Sequence, residues 1–290
     1  MFIFRMKRLG LAGALLALQL AAFGQSPAIS TVRDVAYKGD ARTLSDYESE
    51  RCRLDLTLPA GAAGFATLVW FHGGGLKNGD KDAPGEYLGE IRASLAQAGV
   101  AVVTPSYRLS PKATYPAYVD DAAAAFAWTV RHIAAHGGNP RRVFIGGHSA
   151  GGYLALLVGF DASRLKPFGL PADAVAGIAQ ISGQIFTHYT VREERGQSRF
   201  AIAADEAAPS FHLSKSVPPV LTLYADKDMP SRAEENQFLV ATLKAAGHRD
   251  TYEVRVKDRT HGSVGHNLRH LDDPARLAIL EFMARQSARR

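Results

Sequence analysis

The sequence GHSAG at residues 147–151 is the feature that most constrains the fold, because it joins two apolar runs, RVFI at 142–145 and YLALLV at 153–158. That order indicates a buried strand, a sharp turn and a helix. Glycines two positions before and after Ser149 allow the turn and leave the serine hydroxyl exposed at the edge of a sheet. Because Gly-x-Ser-x-Gly alone is weakly specific, a nucleophilic role for Ser149 depends on partners elsewhere in the chain.

A second glycine-rich segment, HGGG at residues 72–75, follows the apolar run TLVWF at 67–71. Glycine triplets after strands can also bind phosphate, but the residues LKN that follow lack the Gly-Lys-Ser/Thr ending of a nucleotide loop. Backbone N–H groups approach a substrate oxygen closely where side chains are absent, so the segment is interpreted as an oxyanion loop. His72 is expected to anchor this loop rather than act as a base.

A serine nucleophile needs a histidine base, and the histidine needs a carboxylate that orients it. Asp226 and Asp228 directly follow the predicted strand at 218–224, at the end where open α/β sheets place their chemistry. His261 follows the alternating strand at 251–256 and is predicted to lie in a loop. The chain order is therefore serine, acid, histidine, with both aspartates as candidates.

With these motifs in order, the chain resembles an α/β-hydrolase, and within that superfamily the compact bacterial carboxylesterases related to the hormone-sensitive-lipase group. The HGGG loop and the GHSAG turn match motifs of that family. YRLSP at 107–111 resembles its Tyr-Arg-Leu-Ala-Pro stretch, with serine in place of alanine. GNP at 138–140 resembles its Gly-Asp-Pro turn. The resemblance runs from about residue 30 to the C-terminus.

The resemblance implies roles for particular residues. The implied triad consists of Ser149 as nucleophile, Asp228 as acid and His261 as base. The implied oxyanion hole consists of the N–H groups of Gly74, Gly75 and Ala150. In that family, the strand before the catalytic aspartate usually ends in glycine, which is followed by two further residues and then the aspartate. This spacing favours Asp228, although alanine stands in place of the glycine.

Other residues compete for these roles or suggest different ones. Asp226 is the rival acid, and His266 and His270 are rival bases that are otherwise expected to be ordinary surface histidines. His132 and His136 lie four apart on a predicted helix, but no third ligand stands at metal spacing. Neither a metal nor an organic cofactor is therefore expected.

Strands and helices alternate along the chain, which indicates a mostly parallel eight-stranded sheet with helices on both faces. Strands are predicted at 32–37, 52–58, 66–71, 100–104, 142–146, 174–181, 219–224 and 251–256. Helices are predicted at 84–98, 116–136, 150–160, 231–246 and 273–287.

Residues 183–217 fit this alternation poorly and are predicted to form a small lid insertion above the site. Only about 47 residues separate Gln25 from His72, so a large helical cap is not expected. A fairly open pocket suits short acyl groups on bulky or aromatic alcohols better than long-chain lipids. Leu76, Phe186 and Tyr189 are candidates to line the pocket, with ordinary packing as the alternative for each.

Residues 1–24 have the pattern of a signal peptide. Arg5, Lys7 and Arg8 precede an apolar run from Leu9 to Phe23 that is too short to span a bilayer comfortably. The small residues before position 25 favour cleavage there, which leaves one domain over 25–290, exported to the periplasm or secreted. An uncleaved membrane anchor is the alternative; after cleavage no integral membrane association is expected.

The charge balance argues against nucleic-acid binding, and the cysteine content excludes an intrachain disulfide. Three of the 34 basic residues lie in the leader, so the mature chain would carry only a small excess over its 28 acidic residues. Such a balance is not typical of a nucleic-acid-binding protein. Cys52 is the only cysteine, so no intrachain disulfide forms. Nothing in the composition indicates an oligomeric state.

The motifs together predict a serine hydrolase that acts on small short-chain acyl or aryl esters through an acyl-enzyme intermediate. An arylformamidase, another amidase or a small peptidase would use the same triad. Formamidase-like relatives usually carry an aromatic residue soon after the oxyanion glycines, where this chain has Leu76 and Lys77. A ligand-binding scaffold that has lost catalysis is the alternative of a different class.

Overall fold

The computed structural model describes residues 28–39, 43–61 and 63–290. Within these residues, eight strands form one sheet in the order β1-β2-β4-β3-β5-β6-β7-β8. The strands are β1 (Ser30–Ala36), β2 (Arg53–Leu58), β3 (Phe65–Phe71), β4 (Ala101–Pro105), β5 (Gly138–His148), β6 (Ile178–Ile181), β7 (Val220–Lys227) and β8 (Thr251–Thr260). The predicted eight-stranded sheet is confirmed.

The sheet is antiparallel at one edge and parallel elsewhere. Strand β2 pairs antiparallel with β1 and β4, and every later pair, from β4·β3 to β7·β8, is parallel. The carboxyl ends of β3, β5, β6, β7 and β8 therefore meet at one edge of the sheet. Loops after these strands carry the residues that the sequence singled out.

Helices cover both faces of the sheet. They are α1 (Asp46–Arg51), α2 (Leu88–Ala96), α3 (Ala117–His132), α4 (Ala150–Phe160), α5 (Tyr189–Glu194), α6 (Arg232–Ala245), α7 (His261–His266) and α8 (Pro274–Ser287). None of the helices within the described residues combines the length and apolarity needed to cross a bilayer.

Alternation along the central strands builds two hydrophobic cores. On β3, Val69 and Phe71 join the core that contains α3 and α4, whereas Leu68 and Trp70 join the core that contains α2 and α8. Successive side chains of a strand point to opposite faces, so a continuous apolar run is buried on both sides. This explains why the run at 67–71 lacks polar alternation.

One helix prediction differs from the structure. The helix predicted over 84–98 is a 3-10 turn at Pro84–Glu86 followed by α2, because Tyr87 between them is left-handed, with φ 53°. A left-handed residue cannot continue a right-handed helix. The lid region between β6 and β7 contains one short helix, α5, and a 3-10 turn at Pro209–His212.

The predicted signal peptide at residues 1–24 lies outside the described residues. Its cleavage, and export of the chain, therefore stay predictions.

Candidate active site

Ser149 lies at a strained turn between β5 and α4. Its backbone has φ 57° and ψ −118°, a conformation that non-glycine residues rarely adopt and that clusters at functional sites. A Cβ at Gly151 would lie 2.0 Å from the carbonyl oxygen of Phe71, so only glycine lets α4 start this close to β3. The glycine spacing in the sequence thus reflects a steric requirement of the turn.

The structure brings together Ser149, His261 and Asp228. Ser149 Oγ lies 2.9 Å from Nε2 of His261, and Nδ1 of His261 lies 2.6 Å from Oδ1 of Asp228. The chain of contacts fits a histidine that donates Nδ1–H to the carboxylate and accepts the serine proton at Nε2. Such an arrangement can generate a serine nucleophile.

Asp228 accepts further hydrogen bonds. Ser182 Oγ donates to Oδ2 at 2.5 Å, and the N–H of Met229 donates to Oδ1 at 2.8 Å. Burial opposes ionisation of Asp228, but the hydrogen bonds from His261 and Ser182 outweigh it and hold the pKa of Asp228 below its ordinary value. The carboxylate therefore stays ionised while it orients the histidine.

The rival residues lie elsewhere. Asp226 accepts a hydrogen bond from the N–H of Arg259 at 3.0 Å, on the β8 side of the strand end. His266 Nε2 lies 3.7 Å from Oε2 of Glu86, and His270 ends a short 3-10 turn after α7. The geometry thus separates Asp226, His266 and His270 from the hydroxyl of Ser149.

The prediction that His261 lies in a loop is wrong. Strand β8 continues to Thr260, and His261 is the first residue of α7. Thr260 and Ser263 form a capping box, in which the Thr260 side chain accepts from the N–H of Ser263 and the N–H of Thr260 donates to Ser263 Oγ at 2.9 Å. The cap fixes the start of the helix and with it the position of the imidazole.

The HGGG segment forms a tight turn beside the serine. Gly74 and Gly75 have φ 96° and 64°, and the carbonyl of Gly74 accepts from Lys77 and Asn78 at 3.1 and 2.9 Å. A Cβ at Gly73 would lie 3.7 Å from Cβ of Ser149. The loop therefore lies against the nucleophile candidate.

Three backbone N–H groups near this turn are available to a ligand. In residues 28–39, 43–61 and 63–290, no hydrogen bond uses the N–H of Gly74 or Gly75. Ala150 is the first residue of α4, so its N–H has no intrahelical acceptor. N–H groups in such positions can stabilise a developing oxyanion.

Tyr107 holds His72, the first residue of the oxyanion loop, in position. The His72 ring stacks on Tyr107 with centroids 4.1 Å apart, and the Tyr107 hydroxyl donates to the carbonyl of His72 at 2.8 Å. Burial lowers the pKa of His72 to about 4, so the ring is neutral near pH 7. Arg108 binds Asp121 through Nε and Nη2, each at 2.8 Å. The YRLSP stretch thus holds the oxyanion loop in place.

The pocket candidates have different environments. Leu76 is 0% exposed and packs in the core, which fits the alternative of ordinary packing. Its left-handed backbone, φ 61°, lies at the turn after the glycines. Phe186 is partly buried and faces Phe238 of α6, with ring centroids 6.3 Å apart. Tyr189 lies at the oxyanion loop, since a Cβ at Gly75 would lie 2.0 Å from its hydroxyl.

Two contacts of the site were not predicted from the sequence. Ser182 follows β6 at the same sheet edge as the other site residues, and this position was the only available signal. His148, inside the turn, donates from Nε2 to the carbonyl of His261 at 2.7 Å, which ties the nucleophile strand to the base. Burial and the nearby His261 lower the pKa of His148 to about 4.

One group of side chains has the donors that a transition metal prefers. Within the described residues, donor atoms of Glu86, His148 and His266 lie within 4.8 Å of one another. The nearby His266 contributes most to lowering the pKa of Glu86. His148 of this group has its ring centroid 4.8 Å from that of His261, and the group includes neither His132 nor His136, which the sequence suggests as a pair.

Comparison with known proteins identifies related sequences. The BD-FAE family model matches residues 54–182, a region that contains the oxyanion loop and Ser149 but ends before Asp228 and His261. Lipase 2 of Moraxella sp. (strain TA144) is 41% identical over 93 residues, which is 32% of this chain and 21% of that protein. Carboxylic ester hydrolase LipN of Mycobacterium tuberculosis is 40% identical over 101 residues, 34% of this chain and 26% of LipN.

The chain thus spans about a fifth to a quarter of the length of these two curated relatives. Solved structures are similar over almost the whole chain. A truncated carbohydrate esterase from gut microbiota superposes with a TM-score of 0.72 at 17% identity, covering 91% of this chain and 98% of that one. A Pyrobaculum calidifontis esterase superposes with a TM-score of 0.66 at 20% identity, covering 95% and 90%.

At these identities the structural likeness shows the fold. That fold is the α/β-hydrolase fold that the sequence predicts, and the sequence relatives confirm the resemblance to ester hydrolases related to the hormone-sensitive-lipase group over the part of the chain that they match.

Proposed function

We propose that this protein is a carboxylic-ester hydrolase in which Ser149 is the nucleophile. The observation that carries the proposal is the continuous contact from Ser149 Oγ through His261 to Asp228, at 2.9 and 2.6 Å. The N–H groups of Gly74, Gly75 and Ala150 lie beside it. The names of the sequence relatives, a lipase and a carboxylic ester hydrolase, support the same chemistry.

The mechanism follows from the geometry. His261 takes the hydroxyl proton at Nε2 as Ser149 Oγ attacks the ester carbonyl, and Asp228 stabilises the imidazolium. The available N–H groups bind the oxyanion of the tetrahedral intermediate, each donor lowering the barrier by about 3 kcal/mol. His261 then protonates the leaving alcohol, and water repeats the attack on the acyl-enzyme.

We further propose that the substrates are small esters with short acyl or aryl groups. The lid between β6 and β7 contributes only the short helix α5 and a 3-10 turn near the site. Such a lid supplies little apolar surface for a long acyl chain. The aromatic ring of Tyr189, beside Gly75, suits contact with an aryl or other bulky alcohol.

The test is hydrolysis of p-nitrophenyl esters from acetate to palmitate, with N-formyl and peptide substrates alongside. The proteins are the wild type, Ser149→Ala and, as a matched control, Ser214→Ala, which removes an exposed hydroxyl. We expect turnover to peak at acetate or butyrate, to vanish in Ser149→Ala and to persist in Ser214→Ala. Turnover by pure Ser149→Ala protein contradicts the proposal. Formamide or peptide cleavage without ester cleavage would establish an amidase or peptidase, and inactivity throughout would favour a binding scaffold.

Export is a separate proposal and rests on the pattern of residues 1–24 alone. We propose that the leader is cleaved before Gln25 and that the mature chain is periplasmic or secreted. Intact-mass measurement of the protein from each cell fraction tests this. A chain that begins at Gln25 outside the cytoplasm is the expected result, and a full-length chain in the membrane fraction would establish an uncleaved anchor.

A further inference from the structure

Two arginines near the candidate site are buried without an acidic partner. Arg192 on α5 and Arg232 at the start of α6 are each only 6% exposed. Within the described residues, neither guanidinium group has a carboxylate oxygen within 4.0 Å, and neither makes a side-chain hydrogen bond. Other arginines of comparable burial, such as Arg92 and Arg276, bind carboxylate or carbonyl oxygens.

Two buried arginines without an acidic partner destabilise the folded protein. Taking an ionised group out of water without a partner costs several kcal/mol, so buried charges are normally paired. Burial lowers the pKa of both guanidinium groups, and Glu235 is the carboxylate that opposes the effect most. Glu235 is already used elsewhere, because its oxygens accept from the N–H of Ile185 at 3.2 Å and from Ser231 Oγ at 3.3 Å.

Both arginines lie next to elements of the site. Arg192 is three residues after Tyr189, so both side chains are on one face of α5. The same helix is tied to the oxyanion loop, since Thr190 Oγ1 donates to the carbonyl of Gly75 at 2.6 Å. Arg232 is four residues after Asp228 and is close enough to feel the charges of Asp228 and Arg192. The pair is therefore beside the triad acid on one side and the oxyanion loop on the other.

Both guanidinium groups remain accessible to a ligand. The nitrogen atoms that are fully buried without a partner are Nε of Arg192 and Nη1 of Arg232. The other nitrogens of the two groups make no hydrogen bond, yet they are not among the fully buried atoms, so solvent reaches them. Each side chain is thus mostly buried, while part of its guanidinium group keeps contact with solvent.

Neighbouring charged groups add to the positive electrostatic potential around Arg192 and Arg232. Lys77 and Arg199 lie at the rim, where Glu193 pairs with Lys77 at 2.6 Å and with Arg199 at 3.9 Å. His188 is neutral, because burial and the charges of Arg232 and Arg192 hold its pKa well below its ordinary value. Four cations, Arg192, Arg232, Lys77 and Arg199, therefore outnumber the three carboxylates of Glu193, Glu235 and Asp228 around this part of the site. A cleft with one sign of charge concentrates ligands of the opposite sign.

We propose that Arg192 and Arg232 form an anion subsite that binds a carboxylate carried by the ester substrate. Planar guanidinium groups bind carboxylates through paired, charge-assisted hydrogen bonds, and the bound carboxylate would supply the partner that both side chains lack. The inference rests on the proposed esterase function and narrows its substrates to acidic esters. The carboxylate is on the acyl group or on the alcohol, and the test separates the two.

Two substrate pairs test the proposal. The acyl pair is p-nitrophenyl butyrate and mono-p-nitrophenyl succinate, which differ by a terminal carboxylate. The alcohol pair is methyl 4-acetoxybenzoate and 4-acetoxybenzoate. The variants are Arg192→Gln and Arg232→Gln, and Arg285→Gln, an exposed arginine on α8, is the matched control. For each pair, the measured quantity is kcat/KM for the acidic ester divided by kcat/KM for its neutral partner. In one of the two pairs, we expect this ratio to fall about tenfold or more in both site variants.

The neutral esters should be hydrolysed at nearly wild-type rates by both site variants, and Arg285→Gln should leave both ratios unchanged. Equal losses on acidic and neutral esters would show a merely structural role and overturn the proposal. Unchanged ratios for both pairs would overturn it too. If the glutamine variants fail to fold, Arg192→Lys and Arg232→Lys keep the charge but lose the bidentate geometry, and the same ratios are expected to fall.

A binding measurement separates this proposal from failure of the esterase function. Succinate and benzoate should raise the melting temperature of the wild type and of Ser149→Ala, but not that of Arg192→Gln. Without ligand, Arg192→Gln should melt at or above the wild-type temperature, because it removes an unpaired buried charge. Protein that binds these anions yet hydrolyses no ester would refute the proposed function alone. Absence of binding and of acidic-ester preference would refute the subsite.

Discussion

Ser182 donates its hydroxyl hydrogen to Oδ2 of Asp228 at 2.5 Å, while His261 binds Oδ1 of the same carboxylate at 2.6 Å. The carboxylate is thereby held from both sides and cannot rotate away from the imidazole. Ser182 itself has a left-handed backbone, φ 50°, at the end of β6. Two adjacent strand ends, β6 and β7, thus cooperate in setting the orientation of the candidate base.

Ser182→Ala is expected to lower kcat by about tenfold with little change in KM, because a hydrogen bond to a charged group is worth about 1.5–3 kcal/mol and this one positions the base rather than the substrate. Steady-state kinetics on a short-chain ester measures both constants. Ser210→Ala is the control, since among the described residues the Ser210 hydroxyl is buried with no hydrogen-bond partner. An unaltered kcat in Ser182→Ala would refute a positioning role.

Asp228→Asn and Asp226→Asn form a matched pair that separates the two candidate acids. Asparagine at 228 favours the wrong imidazole tautomer, so kcat should fall by about 10⁴. Asparagine at 226 can still accept from the N–H of Arg259 and should leave kcat within about twofold, as expected for a surface change. A large loss in Asp226→Asn with an active Asp228→Asn would reverse the assignment.

Gly75→Ala should reduce kcat/KM by about a hundredfold, the loss expected when one oxyanion donor is displaced. Its new methyl group would lie 2.0 Å from the hydroxyl of Tyr189, and the φ of 64° adds backbone strain. Gly85→Ala is the control, because nothing lies within 4 Å of a Cβ there.

Removing the Tyr189 hydroxyl tests whether that contact causes the loss. In a Tyr189→Phe background, Gly75→Ala should cost less, both in kcat/KM and in melting temperature, since the nearest remaining ring carbon would be 3.2 Å from the methyl. Identical costs in the two backgrounds would mean that backbone strain alone is responsible.

Stability should fall as the pH is lowered from about 6.5 to 4. Burial holds the pKa of His72 and His148 at about 4 in the folded state, from an ordinary 6.5. The unfolded chain therefore binds protons in this window before the folded chain does, and each histidine removes up to about 3 kcal/mol of the free energy of unfolding. Urea unfolding at several pH values measures the decline.

His148→Gln should flatten this pH dependence, since glutamine keeps a donor for the carbonyl of His261 but does not titrate. His132→Asn, a change at an exposed histidine, should leave the dependence as it is. Parallel profiles for the wild type and His148→Gln would contradict the assignment of a buried neutral imidazole.

Local patterns were enough to predict the sheet, the principal helices and the turn at Ser149. Apolar runs of strand length, glycines where Cβ atoms cannot fit and helical periodicity are all short-range signals. The pairing of residues far apart in sequence was predictable only through the resemblance to a family. The helix that begins at His261 was missed, because the capping box of Thr260 and Ser263 is a weak signal beside the strand pattern before it.

The sequence by itself determined which residues stand at the ends of the parallel strands, since alternation and turn residues are encoded locally. Only the tertiary structure decided which of them touch. It separated Asp228 from Asp226, buried Leu76, joined Ser182 to Asp228 and left Arg192 and Arg232 without a carboxylate. These outcomes depend on packing between elements that are distant along the chain, where displacements of a few ångströms make or break a hydrogen bond.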